Sequence, residues 1–171
     1  ETPAGSRFLT VYGTGTMSPV GNYDYWRFDA EAGDRLTARL ECESLGVYPR
    51  LYLRNASDVN LTTINGDYNG LATFQNYTLS APSTYYLLVW SDSNRSRYQL
   101  RLDVSRGPQM ESENNDSQGN ANQIALAFST GLSQGSIAGA LPPADSAGDF
   151  FRLGTLNIGN AYLDPRFNPE V

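Results

Sequence analysis

The densest group of metal-binding side chains in this sequence lies in a short acidic segment. Calcium takes roughly 6 to 8 hard oxygen ligands in flexible geometry, so carboxylate and amide side chains at this density are typical of a calcium site. The alternative is a solvated acidic linker whose Asp and Asn side chains only cap turns, and the residues alone leave both interpretations open. The candidate ligands are Glu111, Glu113, Asn115 and Asp116, together with Asp145 and Asp149 further along the chain.

The remaining reactive side chains argue against most enzyme chemistry. The sequence contains no His and no Lys, so it lacks the usual general base near neutral pH and the amine of Schiff-base enzymes. The single cysteine, Cys42, has no second cysteine for a disulfide and no histidine to activate it, which favours a small buried residue. Glu41 and Glu43 share the solvated face of a predicted strand, which is not the cleft that a glycosidase needs. We therefore expect a protein that is not an enzyme.

A predicted strand near residue 90 offers a second kind of chemistry, the stacking of aromatic rings. In the run Thr84 to Trp90, alternate side chains point to opposite sides, so Tyr86, Leu88 and Trp90 share one face. An exposed row of this kind can stack on sugar rings or grip an extended protein ligand. The alternative is that both faces are covered, one by the core and the other by a neighbouring domain.

Strands must position both candidate sites, because the chain carries the period-two pattern of half-buried β-structure. The clearest case is Tyr98 to Val104, in which apolar residues alternate with Gln, Arg and Asp. The other predicted strands are Tyr25 to Ala30, Arg35 to Glu41, Arg50 to Arg54, Leu71 to Leu79 and Thr84 to Trp90. The one helical candidate is a short segment, Gly119 to Ala127. The predicted fold class is therefore all-β, an antiparallel, jelly-roll-like β-sandwich.

The chain is predicted to divide at a turn that is followed by a polar stretch. Arg106-Gly107-Pro108 ends the last strand, so we place a first domain at residues 1–107 and a second at 108–171. The second part repeats the first, because Asp24 to Phe28 matches Asp149 to Leu153. We expect one nearly complete sandwich domain and the start of a second copy, either cut from a longer array or completed by another molecule.

Several short motifs resemble the bacterial pre-peptidase C-terminal domain family, which includes the collagen-binding domains of clostridial collagenases. The family pattern runs from an Asp-Tyr-x-x-Phe strand to Ala-Gly-Asp, and Gly15 to Asp34 matches it. Ser83 to Val89 and Tyr98 to Val104 match the closing strands, with Ser83 in place of a glycine. Glu111 to Asp116 looks like the acidic leading segment of a second copy. The resemblance implies a secreted β-sandwich.

The resemblance also bears on the metal ligands. In calcium-binding members of the family, the acidic leading segment and an acidic turn supply the ligands, so the resemblance implies the same role for Glu111, Glu113, Asn115, Asp116, Asp145 and Asp149. Within the first copy, Asp24 has the analogous turn position, and we expect it to cap a turn.

Net charge and hydropathy argue against some classes of binding partner. The net charge of −6 opposes binding to nucleic acid or to an anionic membrane surface. No apolar run approaches the roughly 18 residues of a membrane span, so we expect no membrane insertion. The resemblance implies a secreted or cell-surface location. The expected partners are neighbouring repeats or further copies of the chain, with a polysaccharide or a fibrous protein as a further ligand.

Three functional hypotheses follow. The first is a non-catalytic accessory or architectural repeat of a larger extracellular bacterial protein, with calcium as cofactor in the linker between repeats. The second is a carbohydrate- or collagen-binding module that uses the face of Tyr86, Leu88 and Trp90. The third is a subunit of an extracellular fibre joined by strand exchange.

Overall fold

The structure is a computed structural model, and it describes residues 7–19, 21–91, 95–129, 132–139 and 148–154. The chain divides into two compact units, Glu1–Met110 and Glu111–Val171. Among the described residues no helix is long and apolar enough to cross a membrane.

Unit 1 is a sandwich of two four-stranded antiparallel sheets, so the all-β antiparallel sandwich prediction is confirmed. The strands of the two sheets are β1 (Arg7–Met17), β2 (Asp24–Ala30), β3 (Arg35–Cys42), β4 (Arg50–Asn55), β5 (Asn60–Asn65), β6 (Leu71–Thr78), β7 (Ser83–Trp90) and β8 (Ser96–Arg106). A two-residue strand outside these sheets, β9 (Gln109–Met110), ends the unit. The first sheet has the order β1-β8-β3-β6 and the second has the order β2-β7-β4-β5. All six strands predicted from sequence are present, whereas β1 and β5 were not predicted.

The core of unit 1 lies between the two sheets and is built by alternation along each strand. In β3 the side chains of Leu36, Ala38 and Leu40 are buried, while the residues between them face outward. Leu51 and Leu53 of β4 are fully buried and oppose them from the second sheet. Every second residue of a strand contributes to this single apolar layer. A one-residue slip would move those side chains to the solvent face, so their burial fixes the register of each strand.

A buried ion pair closes one end of unit 1. Asp34 follows the turn after β2, and its carboxylate receives two hydrogen bonds from Arg106 at the end of β8, with distances of 2.8 and 2.7 Å. The backbone N–H of Glu31 donates a third bond at 2.8 Å. Hydrogen bonding from Arg106 holds the pKa of Asp34 below its usual range. The end of β8 is thereby tied to the β2–β3 turn.

The described part of unit 2 contains short strands and one turn of 3-10 helix, Gln118–Asn120. Its strands are β10 (Asn122–Gln123), β11 (Ala127–Ser129), β12 (Leu132–Gln134), β13 (Ile137–Ala138) and β14 (Phe151–Arg152). The helical candidate Gly119 to Ala127 overlaps this 3-10 turn but forms no longer helix, because β10 occupies Asn122–Gln123 and pairs in parallel with β14. Within the described part of unit 2, the buried side chains are the polar ones of Glu111 and Asn115.

Candidate cation site and aromatic face

Three of the six predicted metal ligands meet around the amide of Asn115, whose side chain is 0% exposed. One end of that amide lies 3.1 Å from Oε2 of Glu113 and 3.2 Å from Oδ1 of Asp149. The backbone carbonyl of Asn115 accepts a hydrogen bond of 3.0 Å from the N–H of Phe150, which brings Asp149 beside the acidic segment. The carboxylate of Asp149, which is distant in sequence, therefore converges with Glu113 and Asn115 on one buried point.

The two ends of the Asn115 amide have opposite surroundings. One end faces only hydrogen-bond acceptors, including Glu113 and Asp149, and the other faces only donors. With its nitrogen toward the carboxylates the amide donates to both. With its oxygen toward them, three oxygens share one point, which is the donor chemistry of a hard cation such as calcium. The orientation with the nitrogen toward the carboxylates satisfies both ends of the amide. A cation between the carboxylates would need the opposite orientation, in which the NH₂ group faces donors.

Two of the other predicted ligands, Glu111 and Asp116, lie apart from this point. Glu111 is buried, and its carboxylate lies against Gly139 so closely that a Cβ on that glycine would overlap it. Asp116 is exposed. Asp145 lies outside the described residues. In the part of the chain that the structure describes, no group of three or more His, Cys, Asp or Glu side chains could hold a metal.

A reciprocal pair of hydrogen bonds fixes the start of the acidic segment. The N–H of Ser112 donates to Oδ1 of Asn122 at 2.5 Å, and the amide of Asn122 donates to the carbonyl of Ser112 at 3.0 Å. Asn122 also begins β10, whose backbone is bonded to the strand that follows Asp149. The polypeptide around Glu113 and Asn115 is therefore held from both sides by backbone contacts.

In unit 1, aromatic side chains gather on the outer face of the second sheet. The rings of Tyr23 and Trp90 are stacked with centroids 6.0 Å apart, and Tyr25 contacts both Tyr23 and Tyr86 at 6.4 and 6.5 Å. The guanidinium of Arg50 lies 4.6 Å from the centre of the Trp90 ring. We call these five residues the aromatic face. Tyr86 and Trp90 belong to it as predicted, and sequence reasoning missed the other three.

Leu88 does not take part in an exposed face, so its predicted exposure is wrong. Its side chain is 0% exposed. In the two neighbouring strands its cross-strand partners are Tyr25 and Tyr52. Two large rings beside one smaller side chain are enough to cover it. The opposite side of β7 behaves as predicted, because Tyr85, Leu87 and Val89 are buried.

A chain of hydrogen bonds beneath β1 involves two residues of the predicted repeat, Asp24 and Trp26. The indole N–H of Trp26 donates to the hydroxyl of Tyr98 at 3.0 Å, and that hydroxyl donates to Oδ2 of Asp24 at 2.8 Å. Burial raises the pKa of Tyr98, so the hydroxyl stays protonated and able to donate. Asp24 was expected to cap a turn, and it receives this bond together with one of 3.3 Å from Asn22.

Comparison with known proteins gives distant likenesses to solved structures. No family model matches the chain, and no curated protein matches it. The chain is similar to the pre-peptidase C-terminal domain of a collagenase from Bacillus anthracis, at 20% identity and a TM-score of 0.46, over 55% of this chain and 89% of that one. It is also similar to PliG of Aeromonas hydrophila, a periplasmic inhibitor of g-type lysozyme, at 14% identity and a TM-score of 0.42, over 58% and 88%. A third likeness is to a protein of the Bacillus endospore appendages, a family of disulfide-linked pili, at 9% identity and a TM-score of 0.37, over 58% and 89%. Likenesses at this level assign no function.

Proposed function

We propose that this chain is a non-catalytic, secreted accessory module in which calcium orders the acidic segment of unit 2. The observation that carries the proposal is the convergence of Glu113, Asn115 and Asp149 on one buried point, at 3.1 and 3.2 Å. The protein is negatively charged overall, and two carboxylates that approach the same amide repel each other unless a cation or a donor lies between them. Calcium would supply that charge, with the carboxylates of Glu113 and Asp149 and the amide oxygen of Asn115 as ligands.

The proposed role of the cation is mechanical order. The acidic segment begins where unit 1 ends, so a cation that joins it to Asp149 stiffens the start of unit 2. The chain contains no His and no Lys, and the proposed module binds and connects without turnover. The resemblance to secreted sandwich modules, carried by the motifs in β2, β7 and β8, supports an extracellular setting, where calcium is abundant.

A calcium titration of the whole chain tests the proposal. Calcium that binds only the folded state stabilises it by about 2.7 kcal/mol at one hundred times its Kd, and hydrogen exchange of residues 111–124 and 148–154 should slow to match. Asp149→Asn should abolish both effects. Glu43→Gln, which changes an exposed carboxylate of unit 1, is the matched control and should leave both intact. The absence of any calcium effect at millimolar concentration would refute the proposal.

The variant Asn115→Asp distinguishes the two orientations of the amide. A third carboxylate beside Glu113 and Asp149 should destabilise the calcium-free protein by like-charge repulsion and strengthen calcium binding. Addition of calcium should therefore restore the stability of Asn115→Asp. If the amide serves only as a hydrogen-bond bridge, the variant is destabilised and calcium restores nothing.

The aromatic face supports a second candidate function, the binding of a polysaccharide or of a fibrous protein such as collagen. Its stacked rings and the guanidinium of Arg50 offer an apolar surface with a cationic rim, which suits both sugar rings and extended chains. Co-sedimentation with insoluble polysaccharides and with collagen tests this. Tyr25→Ala should abolish binding, whereas Tyr68→Ala should not, because Tyr68 is equally exposed (58% against 55%) but lies in the loop before β6. Equal binding by both variants would exclude the face.

A further inference from the structure

The first strand of unit 1 leaves one long edge open. β1 pairs with β8 over all eleven of its residues without a shift in register, and it is the outermost strand of the first sheet. No described strand of unit 1 pairs with its other side. An open edge of this length is a template for pairing with another chain.

The backbone groups that point out of this edge can be assigned from the neighbouring strand. The N–H of Glu43 donates to the carbonyl of Arg97, so the odd-numbered residues of β8 direct their backbone groups toward β3. The even-numbered residues of β8 therefore form backbone hydrogen bonds with β1, at Leu9, Val11, Gly13 and Gly15 in the observed register. The intervening residues of β1 direct N–H and C=O outward, and they are Phe8, Thr10, Tyr12, Thr14 and Thr16.

β1 has few of the features that prevent the sheet edges of different molecules from pairing. Such edges are usually protected by charges, proline or bulges. The one charged residue of β1 is Arg7 at its end, the strand contains no proline, and its pairing with β8 is regular. Leu9, Val11 and Tyr12 are large and about half exposed. The edge is therefore long, regular and apolar.

The distribution of large and small residues along β1 suits a second copy of the same strand. When two copies run antiparallel about a two-fold axis at Tyr12, Arg7 faces Met17 and all eleven residues pair. In that register Leu9 faces Gly15 of the second copy and Val11 faces Gly13. Tyr12 faces itself, and each outward-pointing residue both donates to and accepts from its partner.

Aromatic rings fill the space that side chains would occupy at the two glycines of β1. A Cβ on Gly13 would overlap Trp26, and a Cβ on Gly15 would overlap Tyr98. In the two-fold register, Val11 and Leu9 of one copy come beside the glycines, and hence beside these rings, of the other. The two Arg7 residues lie at opposite ends, so no charge on the strand faces a like charge. We propose that the chain forms a two-fold dimer through β1, which joins two first sheets into one continuous eight-stranded sheet.

The mass of the whole chain in solution, measured against concentration, tests this inference. Wild-type protein should rise from one chain to two and stop there, because a two-fold contact is closed. Tyr12→Lys and Tyr12→Glu should each be monomeric, since the change places like charges directly opposite each other at the axis. An equimolar mixture of these two variants should form a dimer again, and circular dichroism should show that each is folded.

A matched pair of variants separates the edge from general surface hydrophobicity. Val11→Lys should prevent dimer formation, whereas Val59→Lys should not, because Val59 is similarly exposed (52% against 57%) but lies in the loop between β4 and β5. A wild-type protein that stays monomeric at millimolar concentration would overturn the inference. So would a mass that grows beyond two chains, or a mixture of the two Tyr12 variants that stays monomeric.

Discussion

The buried carboxylate of Asp34 should govern the acid stability of unit 1. Its side chain is 1% exposed, and it accepts two hydrogen bonds from Arg106 and one from the N–H of Glu31. In Asp34→Asn the amide oxygen can accept only some of these three hydrogen bonds, and the amide NH₂ group faces the guanidinium of Arg106. Breaking a buried ion pair costs about 3 to 5 kcal/mol. Because the Arg106 side chain is 30% exposed and regains water, we expect a loss of about 2 kcal/mol.

The pH dependence of that loss gives the sharper test. The pKa of Asp34 is depressed in the folded protein, so its contribution is fully present above the unfolded value of about 3.9 and declines as the pH falls through the folded value. The stability gap between wild type and Asp34→Asn should therefore be constant from about pH 7 to 5. It should shrink below about pH 4, when the wild-type carboxylate becomes protonated.

Urea unfolding followed by tryptophan fluorescence is the suitable assay, because the chain has two tryptophans and both lie in unit 1. Glu41→Gln is the matched control, since Glu41 forms an exposed ion pair with Arg39 and should change stability by less than about 0.5 kcal/mol. A gap for Asp34→Asn that is as small as that of the control, or that persists unchanged at about pH 3, would refute the reasoning.

Three further predictions concern the interior of unit 1. Tyr98→Phe removes the hydroxyl between Trp26 and Asp24 and should cost about 1 to 3 kcal/mol in urea unfolding. Leu40→Ala, at a side chain that is fully buried, should cost about 2 to 5 kcal/mol in the same assay. Burial raises the pKa of the Cys42 thiol to about 11, so mass spectrometry should show slow alkylation by iodoacetamide near pH 8 and fast alkylation in denaturant.

The sequence predicts strands well where apolar residues alternate without interruption, and it fails at β1 and β5 for identifiable reasons. In β1 the inward positions run Leu9, Val11, Gly13 and Gly15, so the apolar pattern stops halfway. The glycines are there because the rings of Trp26, from the second sheet, and Tyr98, from the neighbouring strand β8, fill the space that side chains would occupy. In β5 the apolar residues are three positions apart, and its pairing with β4 shifts in register.

The candidate sites show the same limit, because both depend on which strands become neighbours. Alternation identifies the buried side of β7, but only the register with β2 and β4 places tyrosines on both sides of Leu88. In the acidic segment, neighbouring residues cannot all point to one place, and Asp116 is accordingly exposed while Asn115 is buried. The sequence grouped Asp149 with the segment through resemblance, and the parallel pairing of β10 and β14 supplies the physical reason.

The two aspartates matched by the predicted repeat, Asp24 and Asp149, have different surroundings, which is why we propose calcium in unit 2 and not in unit 1. Asp24 receives a hydrogen bond from the protonated hydroxyl of Tyr98, a neutral donor that stabilises a single carboxylate without a cation. Asp149, its counterpart, shares one amide with a second carboxylate, that of Glu113. Two carboxylates beside one amide oxygen would offer the kind of oxygen ligands that calcium takes. The tryptophan-detected unfolding of unit 1 should accordingly be the same in calcium and in chelator, while exchange around Asp149 changes.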